Sequence, residues 1–231
     1  VLGFIVSKLL KNNQDKVTGI ERRYQGTPTC AEASLVIGAD GKQSLVARDA
    51  QSKIHHQQQM IRSGFYGYFR NFQWLDGPSV EFYVDRDQFY AFPMRGGLTC
   101  LVTGIQQHKD ELFKDGIEKG LRAAFAESPI AERVQNIELV GAAMGIKARA
   151  HKTFIRQCVG NGWALVGDAS IHTDPMLGQG MGIALRGAEA LSNVVIAGYY
   201  QKSDVNAFLR EYGSWRNGSL WDLYYVISSI S

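Results

Sequence analysis

Residues 163–182 decide the fold: Trp163-Ala164-Leu165-Val166, then Gly167-Asp168-Ala169-Ser170-Ile171-His172-Thr173-Asp174-Pro175-Met176-Leu177-Gly178-Gln179-Gly180-Met181-Gly182. The first four residues are a short apolar run, as a buried strand is. Asp168 places a carboxylate just past the carboxyl end of that strand, the edge at which open α/β sheets bind ligands. A loop containing Pro175 then delivers three glycines to the start of a long helix expected over about 178–199. Glycine lets a ligand approach the backbone closely. The free N–H groups and positive dipole end of a helix start favour an acceptor there. A carboxylate for ligand hydroxyls beside such an amide nest suits a sugar-like chain joined to an electron-poor ring. The same residues also read, more plainly, as a glycine-rich helix start with a capping Asp.

A second stretch repeats the layout. Gly38-Ala39-Asp40-Gly41-Lys42-Gln43-Ser44 follows the apolar run Ala33-Ser34-Leu35-Val36-Ile37, expected to be a fully buried strand. Alone, Asp-Gly is a common turn. Two copies of strand, then Gly-(Ala)-Asp, predict two carboxylates converging at one sheet edge.

Around these stretches the chain reads as strands, an insert, and strands again. Phe4 to Leu10 and Lys16 to Arg23 are expected strands joined by the polar turn Lys11-Asn12-Asn13-Gln14-Asp15. Gln25-Gly26-Thr27-Pro28 is a second turn, and Lys53–Met60 (KIHHQQQM) reads as a polar link. From Gly64 to Ile105 aromatic and β-branched residues predict an antiparallel sheet, with strands near Phe65–Phe72, Val80–Val84, Phe89–Pro93 and Thr99–Ile105. Leu112, Ile117, Leu121 and Phe125 give Lys109–Phe125 a helical period, stopped by Ser128-Pro129. Phe154–Cys158 and Trp163–Val166 read as a hairpin about Gly160-Asn161-Gly162. Ser203 is positioned to cap a last helix through Leu209, Trp215 and Leu223. No internal repeat is visible.

Composition bounds the function. The 231 residues are 45% hydrophobic and 20% charged, enough to build a core without a disulfide or metal staple. Lys plus Arg number 25 against 22 Asp plus Glu, and a net charge of +3 is too weak to imply a nucleic-acid or membrane-surface partner. The 25 glycines exceed the usual share of about 7%, while 5 prolines and no Gly-x-y period exclude a collagen-like chain. Cys30, Cys100 and Cys158 are far apart and read as reduced thiols of a cytoplasmic protein, not a redox pair or zinc site. His55, His56, His108 and His151 have no metal spacing. No apolar run reaches the roughly 20 residues of a membrane span. Val1-Leu2-Gly3-Phe4-Ile5-Val6 has no basic region or cleavage site of a signal peptide. It reads as a strand entered midway, with further sequence expected upstream.

Residues 37–48 (IGADGKQSLVAR) and 165–192 (LVGDASIHTDPMLGQGMGIALRGAEALS) resemble the FAD-dependent aromatic hydroxylases, the group A flavoprotein monooxygenases. The first is similar to that family's Asp-Gly motif and the second to its Gly-Asp…Pro…Gly-x-Gly flavin motif. The order of strands, motifs, substrate sheet and long helix also fits, over roughly residues 1 to 200. The resemblance implies an α/β fold: a Rossmann-like FAD/NAD(P)-binding domain interrupted by an antiparallel-sheet substrate domain. Residues 1–52 and 147–200 would form the discontinuous FAD-binding domain, 53–146 the substrate domain and 201–231 a C-terminal helix. The family's N-terminal G-x-G-x-x-G, which holds the pyrophosphate, is absent from this sequence, and Gly178-x-Gly180-x-Gly182 has a different spacing. His172 lies one place later than the more usual family histidine.

The resemblance also implies roles. Asp168 would hydrogen-bond the ribityl chain of FAD, with Gly167 allowing its tight turn. Pro175 would lie along the isoalloxazine ring. The N–H groups around Gly178, Gln179, Gly180 and Met181 would face the pyrimidine edge. Asp40 and Gly41 would help position the flavin and the reducing nicotinamide. The implied activity is oxidation of an aromatic or polycyclic small molecule with NAD(P)H and O2, the cofactor carrying the redox chemistry. Tyr66, Tyr68, Phe82, Tyr83, Tyr90 and Phe92 are candidates to wall a substrate cavity; of these Tyr83, Tyr90 and Phe92 are the substrate-binding expectation, with sheet packing as the alternative for each. Halogenases of this fold carry W-x-W-x-I-P, which does not occur here. Phe89-Tyr90-Ala91-Phe92-Pro93 weakly resembles a segment of the prenyl-chain reductases, with Tyr90 where a tryptophan is expected. Trp215 and Trp221 read as packing residues that would suit a homodimer contact. The competing reading is a non-catalytic relative that keeps the sheet and binds a small molecule or a partner.

Overall fold

The computed structural model describes residues 4–24, 27–202 and 204–230. Its contacts divide the chain into two units: Val1–Gln58 with Thr153–Ser231, and Gln59–Lys152. The turn residues Gln25 and Gly26 and the expected cap Ser203 lie outside the described residues.

The first unit begins with β1 (Phe4–Lys11), β2 (Val17–Tyr24) and β3 (Thr27–Glu32), an antiparallel sheet in that order. The β1–β2 turn is closed by the Asn12 side chain, whose Oδ1 accepts from the N–H groups of Gln14 and Lys16, both at 3.0 Å. Next come β4 (Val36–Gly38), α1 (Leu45–Asp49) and β5 (Ile54–Gln59). Of the expected strand 33–37 only Val36 and Ile37 fall in β4, and Ile37 is 47% exposed, so this strand is not fully buried. The polar stretch read as a link is instead the strand β5; a sheet edge tolerates the polar side chains that a buried strand does not.

The second unit contains β6 (Arg62–Arg70), β7 (Glu81–Val84), β8 (Gln88–Pro93), β9 (Thr99–Gln106), α2 (Ile117–Ala126), β10 (Glu138–Leu139) and β11 (Met144–Ile146). Its sheet runs β10-β6-β9-β8-β7, with β11 also paired to β6. Alternation puts Phe65, Phe69, Phe89, Ala91, Leu101 and Ile105 on one face. There they meet Leu121, Ala124 and Phe125 of α2 in one core. The helix expected over 109–125 is broken: a 3-10 turn spans Gln107–Phe113, and α2 starts only after Lys114-Asp115-Gly116.

The chain then re-enters the first unit through β12 (Lys152–Arg156), β13 (Val159–Gly160), β14 (Trp163–Leu165), β15 (Ile171–His172), α3 (Gly180–Tyr200) and α4 (Val205–Ile230). The hairpin forms between β13 and β14, while β12 pairs with β15 in the order β15-β12-β5. β14 also pairs in parallel with β4, matching Trp163 with Val36, Ala164 with Ile37 and Leu165 with Gly38. Trp163 and Leu165 face Leu9, Val17, Val46 and Ala47, whereas Ala164 and Val166 face Leu191, Phe208, Leu209 and Tyr212. This sheet is therefore covered on both sides, which explains the unbroken apolar run at 163–166. Close packing fixes Gly38: a Cβ there would stand 2.7 Å from Leu165 Cδ2 and 2.8 Å from Val46 Cβ. The domain limits expected at 52/53 and 146/147 thus shift to 58/59 and 152/153. The last helix, expected to stand apart as 201–231, belongs to the first unit: Leu220, Tyr224 and Ile227 pack with Ile155, Ile171 and Ile183. Trp215 and Trp221 pack against these cores half-buried. Among the described residues no helix is long and apolar enough to cross a membrane, and no His, Cys, Asp and Glu cluster could hold a metal ion.

Candidate functional site

Because β4 and β14 run parallel, the stretches that follow them leave the sheet at the same end. Asp40 lies two residues past Gly38, and Asp168 three past its register partner Leu165; Val166 N–H donates to Gly38 O at 3.0 Å. The expected convergence of two Gly-Asp stretches at one edge is thus present in the backbone.

The two carboxylates are held differently. Asp40 Oδ2 accepts from the N–H groups of Leu45 (2.7 Å) and Val46 (3.2 Å), and Ser44 Oγ accepts from Ala47 at 2.9 Å. One oxygen of Asp40 is thereby committed to the first turn of α1. Its charge also reaches Arg156, which burial pulls below the ordinary arginine value while Asp40 opposes that fall. The Arg156 guanidinium stacks over Phe154 at 4.1 Å. Gly41 has open space on its Cβ side.

Asp168 sits in a 3-10 turn, Gly167–Ala169. Gly167 has φ +58° and a would-be Cβ 3.2 Å from the Ala184 methyl, so a side chain there meets both strain and contact. Asp168 Oδ2 is 3.0 Å from His172 Nδ1, and the Asp168 side chain is half exposed. The His172 ring packs on Phe154, and its Nε2 is buried with no hydrogen-bond partner among the described residues. With Nδ1–H donating to the carboxylate, Nε2 is an acceptor in want of a donor.

The glycine-rich loop leads straight from this pair. Pro175–Leu177 form a 3-10 turn closed by Gly178 N–H to Pro175 O at 2.9 Å. Gln179 precedes α3 and no side chain caps the helix; its amide instead donates to Leu177 O. The helical bonds start with Ile183 N–H to Gln179 O. The N–H groups of Gly180, Met181 and Gly182 therefore have no partner inside the helix. A Cβ built on Gly178 or Gly180 meets nothing within 4 Å, and Met181 is exposed. These residues fit the ribityl and ring portion of a flavin: an accessible carboxylate, an orphaned imidazole nitrogen, and unsealed amides with open space before them.

The aromatic candidates lie in the second unit. Tyr66 pairs with Met144 and Val102, Val102 with Tyr90, and Tyr90 with Phe82, so these five form one row across the sheet. Tyr68, Cys100 and Phe92 form the next row, and Gly64, Gly104 and Gln88 the row on the other side. All occupy the face opposite the core. Phe82, Tyr90 and Phe92 are in mutual ring contact, and Tyr90 Oη donates to Gln88 Oε1 at 2.8 Å. Tyr83 corrects the expectation. It neighbours Phe82 along the strand and so points to the core side, where its hydroxyl donates to Glu81 and accepts from Arg133, 2.9 and 2.8 Å away.

A parallel strand pair with carboxylates at its carboxyl edge and an open glycine-rich helix start defines a nucleotide-cofactor-binding α/β unit. The chain belongs to the FAD binding domain family, whose model matches residues 7–224. Its fold is similar to that of the myxobacterial chondrochloren halogenase CndH (TM-score 0.83, 19% identity, 98% of this chain and 54% of that one). It is also similar to Pseudomonas aeruginosa PqsL, described as a probable FAD-dependent monooxygenase (0.66, 18%, 98% and 60%). A geranylgeranyl bacteriochlorophyll reductase-like protein of Thermoplasma acidophilum matches at 0.72 and 18% identity, over 93% of this chain and 53% of that one. The chain spans between half and two thirds of the length of each of these three.

Two features around this edge escape sequence reasoning. The Asp168–His172 pair depends on β15 turning His172 back beside the carboxylate. Arg216 is charged at a position where the period of α4 calls for an apolar residue, and that misfit is itself a readable signal.

Proposed function

We propose that this chain forms the flavin- and substrate-bearing part of an FAD-dependent oxidoreductase. More narrowly, we read it as a monooxygenase that hydroxylates an aromatic or polycyclic small molecule with NAD(P)H and O2. The observation that carries this reading is the half-exposed Asp168 carboxylate beside the uncapped, glycine-lined start of α3. Asp168, steadied by His172, would accept from the ribityl hydroxyls. Pro175 would lie along the ring, and the amides of Gly178, Gln179, Gly180 and Met181 would face its pyrimidine edge. Asp40 and Gly41 would border the same site. When bound, FAD supplies the electron transfer, and no side chain need act as a nucleophile. For the substrate, the exposed Phe82 ring, set edge-on to those of Tyr90 and Phe92 and in the same row as Tyr66, offers an aromatic surface on the face opposite the core.

Titration of the purified full chain with FAD tests this. Quenched flavin fluorescence and a shifted visible spectrum support the reading; a chain that leaves FAD free at millimolar concentration overturns it. With flavin bound, NAD(P)H oxidation stimulated by a planar phenol or polycyclic substrate supports the monooxygenase step.

A further inference from the structure

On α4 the buried stripe runs Tyr212, Arg216, Leu220, Tyr224, at intervals of one turn. One of the four is a cation. Arg216 is 1% exposed, and a guanidinium does not shed its proton in a protein. Its Nη2 donates to the backbone carbonyl of Arg156, and the group also lies against the Cys158 thiol. Nε and Nη1 are buried without a hydrogen-bond partner, and no carboxylate pairs with it among the described residues. Such a cation is costly, and an apolar residue of similar volume would ordinarily serve folding as well or better.

Its position suggests what the charge acts on. Arg216 lines one narrow crevice with Gly167, Ser170, Ile183 and Gly187. That crevice is the back of the turn carrying Asp168 and of the first turns of α3. Tyr212, one turn earlier, donates to Leu165 O at 2.9 Å, at the end of the strand that launches the turn. Two side chains of α4 thus hold the carboxyl ends of β12 and β14. We propose that Arg216 is a positioning residue whose uncompensated charge, set behind the Gly167–Ser170 turn, favours the anionic reduced flavin ring over the neutral oxidised one. It adds to the positive end of α3, and low local polarity lets the field persist. This inference rests on the flavin reading above.

The test compares the full-length wild-type chain with Arg216→Met, Arg216→Gln and Arg216→Lys. The readouts are thermal melting without ligand and the ratio of affinities for oxidised and reduced FAD, equivalently the midpoint potential. Arg216→Met is expected to melt at or above wild type and to lose about tenfold of the preference for reduced flavin, about 30 mV for a two-electron couple. Arg216→Lys is expected to keep most of that preference. Arg216→Gln, which keeps hydrogen bonding without charge, replaces the Met variant if that one does not fold. An unchanged preference in the neutral variants, or a Lys variant as defective as they are, overturns the inference alone. A wild-type chain that binds no FAD overturns the functional reading and this inference with it.

Discussion

His172 Nδ1 stands 3.0 Å from Asp168 Oδ2, and His172 is the last residue of β15, directly before the loop that leads into α3. The pair ties the orientation of the carboxylate to the entry of the glycine-rich loop. Removing Asp168 (Asp168→Ala) should weaken flavin binding by about 10–100-fold, the range expected for a charge-assisted hydrogen bond of about 1.5–3 kcal/mol. His172→Ala should weaken it less, since the carboxylate remains but loses its support. Fluorescence titration measures both; equal affinity for wild type and Asp168→Ala removes Asp168 from the site.

Arg133 grips Glu81 through two bonds, Nη1 to Oε2 at 2.8 Å and Nη2 to Oε1 at 2.9 Å, while stacking on Phe72. Those hydrogen bonds hold the Glu81 carboxyl below its ordinary value of 4.5 against the opposing effect of burial, with Tyr83 assisting. A depressed carboxyl contributes stability above its unfolded value and loses it as pH falls through the folded value. Glu81→Gln should therefore cost about 1–3 kcal/mol at pH 7 and flatten the acid limb below pH 4.5. Urea unfolding at pH 7 and pH 3.5 checks this.

Gly64 lies on the sheet face opposite the core, in the row beside that of Tyr66 and Tyr90, with nothing within 4 Å of a built Cβ. Gly64→Val should leave thermal stability within about 1 kcal/mol of wild type, since a branched residue suits a strand. It should nevertheless block aromatic ligands, raising their dissociation constants at least about tenfold. Tyr83→Phe should do the reverse, altering stability while leaving ligand affinity unchanged.

Gly38→Ala forces a methyl against Leu165 and Val46. Overpacking of this kind costs about 1–3 kcal/mol, and here it pushes on the strand pair that aims both carboxylates. Denaturant midpoint and flavin affinity are expected to fall together.

Much of this was legible in the sequence, for identifiable reasons. The run Trp163–Val166 shows its double-sided burial directly, and the aromatic run expected as a strand near Phe65–Phe72 is a strand set a few residues earlier, Arg62–Arg70. The polar stretch 54–59 hid its strand because an edge position removes the apolar signal. Tyr83 was grouped with Tyr90 because facing depends on which residues pair across strands, and Phe82, not Tyr83, pairs with Tyr90. The Asp168–His172 pair needed the register of β12 against β15, which local sequence does not encode.

The parallel match of Leu165 to Gly38 also sets an order of events. Ser52 Oγ donates to Gln157 O across 105 residues of sequence, and the second unit, Gln59–Lys152, is continuous between them. During synthesis that insert can collapse while β4 still waits for its partner. Closing the edge that carries Asp40 and Asp168 is therefore a late, long-range step that an already folded insert makes entropically cheaper, by turning a long floppy loop into a short tether.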